Sequence, residues 1–122
     1  MNIKRERGSA QCKTCVMLAS LNLPGSTKII ARSSRNHTEK MFQSLNIPIK
    51  IKKTLNYDTI TLSKPKIIKK LNFNIPGDIS SASFFIVLTL LSEKSHLILR
   101  NININSTRIG IIKILNMMGA KI

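Results

Sequence analysis

The run Pro76-Gly77-Asp78-Ile79-Ser80-Ser81-Ala82-Ser83-Phe84-Phe85, continuing to Leu91, limits most strongly what this chain can fold into. Pro76-Gly77 interrupts whatever precedes it. Asp78 or Ser80 can then cap a helix, because a short side-chain oxygen satisfies an orphan N–H of the first turn. Small residues fill that turn, and residues 84–91 are apolar almost all round. A helix with this distribution is expected to be buried, with its N-terminal end facing a surface or a site.

The rest of the chain has to supply the surroundings. Its 122 residues fit one small domain or a piece of a larger one. Aromatics are only 4%, so Ile, Leu and Val must fill the core. The longest largely apolar run, residues 82–91, is far short of the roughly 20 residues that a membrane span needs. The N-terminus shows no apolar stretch after its basic residues, so no signal peptide is expected, and the expected compartment is the cytoplasm.

A net charge of +15 is compatible with nucleic acid, an anionic membrane surface or small anionic substrates. It is also what drifted composition would produce. Ile, Lys and Asn make up 45 of the 122 residues and share AT-rich codons, and Lys outnumbers Arg 14 to 6. The charge is therefore weak evidence for any partner. Cys12 and Cys15 form a C-x-x-C pair. Zinc would need further ligands, and neither His37 nor His96 stands at ligand spacing. A redox dithiol would want a strand before the motif, of which residues 1–8 offer little. On a helix the two cysteines share a face and are expected to act as small hydrophobes, and no metal is expected.

In order, residues 8–23 read as a helix stopped by Pro24-Gly25, and 27–31 as a short strand. Asn36 or Thr38 can cap a second helix ending near Leu45, with Met41, Phe42 and Leu45 at helical spacing. Residues 47–53 alternate Ile and Lys, and 57–62 alternate again, as strands do; Tyr57-Asp58 lies near the turn between them. Residues 66–74 are expected to be extended. A helix follows over 78–92, a strand over 96–100 and a helix over 107–118. Gly119 suits a helix end, and 120–122 looks like the start of a strand. An offset of about 70 residues places Ser9 to Leu21 on Asp78 to Leu90, Asn36 on Asn105 and Thr38 on Thr107. Each half then reads helix–strand–helix–strand, which implies stacked supersecondary units. The first helix is expected to lack a preceding strand, so both ends look cut through a repeat.

Five segments together resemble one family. Gly8-Ser9-Ala10-Gln11-Cys12-Lys13 with Leu18-Ala19-Ser20-Leu21 is similar to "SAQ-x-K…LLAGL" of 5-enolpyruvylshikimate-3-phosphate synthases. Ser34-Arg35-Asn36-His37-Thr38-Glu39-Lys40-Met41 resembles "SRDHTE-x-M", and Pro76-Gly77-Asp78-Ile79-Ser80-Ser81-Ala82 resembles "PGDxSSA". Asn105-Ser106-Thr107-Arg108-Ile109-Gly110 resembles "NPTRTG", and Met118-Gly119-Ala120 resembles "MGA". Any one is weak; five in order across nearly the whole chain are specific.

The resemblance implies an α/β (α+β) fold, part of an inside-out α/β barrel assembled from βαβαββ units. About two incomplete units are expected: residues 1–63 as the end of one, 64–122 as most of the next. It implies transfer of enolpyruvyl from phosphoenolpyruvate to shikimate 3-phosphate, without a cofactor, on the route to chorismate and aromatic amino acids. Matched residue by residue, Ser9, Ala10 and Gln11 fall on the shikimate 3-phosphate loop, with Gln11 also near phosphoenolpyruvate, and Ser34 and Arg35 fall on further substrate-phosphate contacts. Elementary chemistry agrees, since a helix start favours an anion and a guanidinium forks onto phosphate. Asp78, Ser80, Ser81, Thr107 and Arg108 are expected to be structural, and His37 to pack or hydrogen-bond.

The family's Lys-Ser-x-x-Arg segment, its acidic general base and its later Arg and Lys cluster have no match here. No catalytic residue is therefore assigned, the chain alone is expected not to turn over substrate, and its expected partner is the remainder of the same enzyme. Asn36 stands for the usual Asp, and Cys12 and Cys15 for aliphatic or small residues. A relative acting on UDP-N-acetylglucosamine is the nearest alternative, but the segment 34–41 argues against it. A basic nucleic-acid-binding module is another. It would cluster its charges among stacking aromatics, whereas these lysines are dispersed, so no nucleic acid and no membrane are expected as partners.

Overall fold

The computed structural model describes residues 1–5 and 8–122 and divides them into two compact units, Met1–Asn72 and Phe73–Ile122. The first carries β1 (Asn2–Arg5), α1 (Ala10–Ser20), β2 (Ser26–Arg32), α2 (His37–Ser44), β3 (Ile49–Lys53) and β4 (Tyr57–Ser63). The second carries α3 (Ile79–Leu91) and α4 (Gly110–Met117). The fold is mixed, a small sheet with helices.

The sheet order is β1-β2-β4-β3. β1 runs parallel to β2, with Ile3 opposite Ile29, so α1 is the crossover between them. β4 is antiparallel to both β2 and β3, pairing Ile60 with Ile29 on one side and Ile51 on the other. The alternation read from the sequence is realised in burial. Thr27, Ile29 and Ala31 of β2 point inward, as do Asp58, Ile60 and Leu62 of β4. Met17 of α1 and Phe42 of α2 close this face, joined by Ile47.

β1 corrects the expectation that no strand precedes the first helix. Residues 2–5 are too short and too basic to announce a strand, and become one only because β2 offers a parallel edge. The first unit thus runs β-α-β-α-β-β. α2 ends where expected, near Leu45. Asn46 takes the left-handed conformation at φ 55°, where the Asn46 and Ile47 N–H groups donate to the Gln43 and Phe42 carbonyls. That cap brings buried Ile47 against Phe42, the contact such a cap usually carries.

In the second unit Asp78 caps α3, the Ser81 N–H donating to its carboxylate at 3.3 Å. Gly77 N–H donates to Asn101 O (2.7 Å), and Asn103 N–H donates to Gly77 O (2.9 Å). A Cβ on Gly77 would meet Ile102 Cδ1 at 2.9 Å, so close approach requires glycine there. Gly119, at φ 95°, ends α4: its N–H donates to Asn116 O, and that of Ala120 to Leu115 O. That is the glycine ending expected from the sequence.

The expected strand over 96–100 and the strand start at 120–122 are absent among the described residues. Residues 66–74, 96–100 and 120–122 form no ladder, because a strand needs a partner for its N–H and C=O groups and none is paired with them here. The second half is therefore not helix–strand–helix–strand. Nor is α3 buried. Ile79, Ala82 and Ile86 pack toward Ile102, Ile111, Ile112 and Leu115, while Phe84 is 77% exposed and Leu91 80%. A helix that is apolar all round needs neighbours all round, and this unit supplies them on one side.

The N-cap of α3 yields a pH prediction. The backbone N–H of Ser80 foremost, then the Arg108 hydrogen bond, the Ser81 N–H and the Arg108 charge, hold the Asp78 carboxyl below its ordinary 3.8, against an opposing desolvation. A depressed folded-state pKa contributes stability that is present above the unfolded value and lost as pH falls through the folded one. Asp78→Ala is therefore expected to lower Tm at pH 7. The gap to the unsubstituted chain should narrow below pH 3.8, as thermal melts across pH 2.5–7 would record.

Candidate functional site

The site is assembled from the start of α1 and the loop before α2. Ser9 precedes α1 in extended conformation (φ −127°, ψ 116°), and its Oγ accepts from the Cys12 N–H at 3.3 Å. Ser9 is therefore the helix cap, and the following residues, Ala10 and Gln11, present the first turn to solvent. The α1 face toward the sheet is Lys13, Met17 and Ser20. Thr14, Cys15 and Leu18 lie on the other side.

Lys13 is the unexpected member. A lysine 1% exposed must be paired, and its Nζ lies 2.5 Å from Glu39 Oε1, itself 3% exposed, in the first turn of α2. The same Nζ donates to the backbone carbonyl of Arg35 at 2.9 Å. At the adjoining positions the Thr14 and Thr38 hydroxyls share a hydrogen bond of 2.6 Å. Segment 34–41 is thus tied to residues 13 and 14 of α1 by an ion pair, a charge-assisted hydrogen bond and a hydroxyl pair. Sequence reading missed these ties. The available signal was that Lys13 shares a helical face with Met17 and Ser20, since 13, 17 and 20 follow the spacing of a buried stripe.

Beside the hydroxyl pair lies an open pocket of about 530 Å³, lined by Ala10, Gln11, Cys15, Arg35, His37 and Thr38 among others. Of the five expected ligands, Ala10, Gln11 and Arg35 therefore meet in one place, although 24 residues separate Gln11 from Arg35 in sequence. Ser9 and Ser34 do not line the pocket. Ser9 is engaged in capping, and Ser34 Oγ is buried without a hydrogen-bond partner among the described residues. Among the described residues, no carboxylate stands within ion-pair distance of Arg35. Cys12 is half-buried and Cys15 exposed, and both are free thiols. Cys15 thus faces the pocket rather than the core. Among the described residues no group of three His, Cys, Asp or Glu could hold a metal ion, and no helix is long and apolar enough to cross a membrane.

The second unit repeats the pattern 69 residues on with its charges rearranged. A pocket of about 350 Å³ is lined by Ile79, Ser80, Ser83, Thr107 and Arg108. These are the offset positions of Ala10, Gln11, Thr14, Thr38 and Glu39. Arg108 donates to Ser80 Oγ and lies 3.2 Å from Asp78 Oδ1. Its guanidinium is thereby committed to the helix cap, as expected of a structural residue. Ile104 occupies the place of Arg35, so among the described residues only the first unit presents a pocket arginine that is not engaged with a carboxylate.

Chemically, the first-unit pocket offers a guanidinium fork, a carboxamide and a helix start to a small anion. Comparison with known proteins gives the family. The family model for EPSP synthase (3-phosphoshikimate 1-carboxyvinyltransferase) matches residues 1–122. A 3-phosphoshikimate 1-carboxyvinyltransferase of Legionella pneumophila (strain Lens) is 44% identical over 93% of this chain and 26% of its own length. One of Staphylococcus aureus (strain JH9) is 43% identical over 100% of this chain and 28% of its own. The chain belongs to the EPSP synthase family and spans about a quarter of the length of these relatives.

Proposed function

We propose that this chain supplies the shikimate 3-phosphate-binding edge of a 3-phosphoshikimate 1-carboxyvinyltransferase. One observation carries the reading: Gln11 and Arg35, from two separate family-like segments, line a single pocket at the start of α1. Arg35 holds the substrate phosphate by two parallel N–H···O bonds. Gln11 donates to the substrate and reaches toward phosphoenolpyruvate and Ala10 keeps the helix start open, while Ser9 and Ser34, which do not line the pocket, support it from behind, Ser9 as the helix cap. The transfer itself needs donors on both sides of a water-excluding cleft and an acidic base, which lie in parts of the enzyme beyond these residues. On this reading residues 1–63 end one βαβαββ unit and 64–122 form most of the next, within the family's inside-out barrel. The enzyme works in the cytoplasm without a cofactor, with the rest of its own polypeptide as partner and neither nucleic acid nor membrane.

Titration of the purified chain with shikimate 3-phosphate, followed by NMR, tests this. The Gln11 and Arg35 amides are expected to shift, and Arg35→Ala to weaken binding about tenfold or more, the worth of one hydrogen bond to a charged group. With phosphoenolpyruvate added, no phosphate release above background is expected. Unchanged spectra at millimolar ligand would defeat the proposal.

A further inference from the structure

We propose that Lys13 and Glu39 are positioning residues for Arg35, holding the loop before α2 at the pocket. The inference rests on the reading of that pocket as the shikimate 3-phosphate site.

Three observations carry it. Lys13 Nζ makes two contacts at once, with Glu39 Oε1 at 2.5 Å and with the Arg35 carbonyl at 2.9 Å. Glu39 therefore fixes the ammonium, and the ammonium fixes the backbone of Arg35, whose guanidinium serves the site. Both charges are almost fully buried, so solvent neither screens the pair nor competes for the carbonyl. Finally, Glu39 stands at the third position of α2, where an acidic residue usually folds back to the N-cap N–H. Here it reaches Lys13 instead, and Asn36 makes no side-chain cap bond. The Glu39 carboxylate thus ties the start of α2 to α1. The Thr14–Thr38 hydroxyl pair is a second tie on the same side.

A pair that only stabilised the fold would affect every part of the first unit alike. A positioning pair acts on residues 34–36 selectively. The test is Lys13→Met combined with Glu39→Leu, which replaces both charges with apolar groups of similar size and leaves neither buried charge alone. Two quantities are measured on the purified chain: amide order parameters and the Kd for shikimate 3-phosphate.

The order parameters of residues 34–36 are expected to fall from the rigid value near 0.85 to below about 0.6. Those of Ile29 and Ile60 in the sheet should stay unchanged, and Kd should rise about tenfold. A folded double variant whose 34–36 amides remain as rigid as before overturns the proposal. If the double variant does not fold, Glu39→Gln takes its place. It keeps the size of the side chain but removes the charge that fixes the Lys13 ammonium, so residues 34–36 are expected to lose order with the sheet intact, and no change there overturns the proposal equally. Should the unsubstituted chain fail to bind shikimate 3-phosphate, the reading of the pocket fails, and the order parameters still decide whether the pair holds Arg35.

Discussion

Replacing Glu39 by leucine alone is expected to destabilise the first unit by about 3–5 kcal/mol, because it leaves Lys13 as a buried charge without its counter-ion. The same loss is expected from Lys13→Met alone. Against a total stability of about 5–15 kcal/mol for an ordinary domain, either change would place the unit near its unfolding threshold. The double variant is expected to be far milder, since matched apolar side chains remove the desolvation cost along with the attraction. Lys13 and Glu39 are 1% and 3% exposed, and one Glu39 oxygen, Oε2, already lacks a hydrogen-bond partner. The pair is therefore imperfectly satisfied, which favours the apolar replacement further. Urea unfolding of the three variants forms a double-mutant cycle, and a coupling energy below about 0.5 kcal/mol would show that the pair behaves like a solvent-exposed one.

The second large effect contrasts two phenylalanines on helices. Phe42→Ala is expected to cost about 3–5 kcal/mol, the usual range for emptying a packed aromatic site. Phe42 is 1% exposed and packs with Met17, Ile47 and the inward side chains of β2 and β4. It also anchors the end of α2, where its carbonyl accepts from the Ile47 N–H. Phe84→Ala is expected to change stability by less than about 0.5 kcal/mol, because its ring lies in solvent. Denaturant unfolding of both variants settles the comparison. A Phe84 cost equal to that of Phe42 would mean that the outer face of α3 is covered in solution.

These outcomes mark the division between local and tertiary information. Sequence was enough wherever one segment decides its own structure. Asp78 caps its helix because a short oxygen beside a first-turn N–H is a local matter, and the 69-residue offset that pairs it with Ser9 is a sequence fact. β3 and β4 follow from period-two alternation over residues that pair across a short turn. Arg35 and Gln11 were legible as candidates because segments 8–13 and 34–41 resemble one family.

What needed the tertiary structure is everything whose energy comes from a distant partner. Asn2–Arg5 becomes a strand only beside β2, and residues 66–74 and 96–100 stay unpaired for want of such an edge. α3 looks like a core helix in sequence, yet its unit buries only the Ile79, Ala82 and Ile86 stripe. Lys13 reads as one more solvated lysine among 14. Only the arrival of Glu39 and the Arg35 carbonyl makes burial of its charge tolerable, because in a dry interior an ammonium is stable when, and only when, its donors are met.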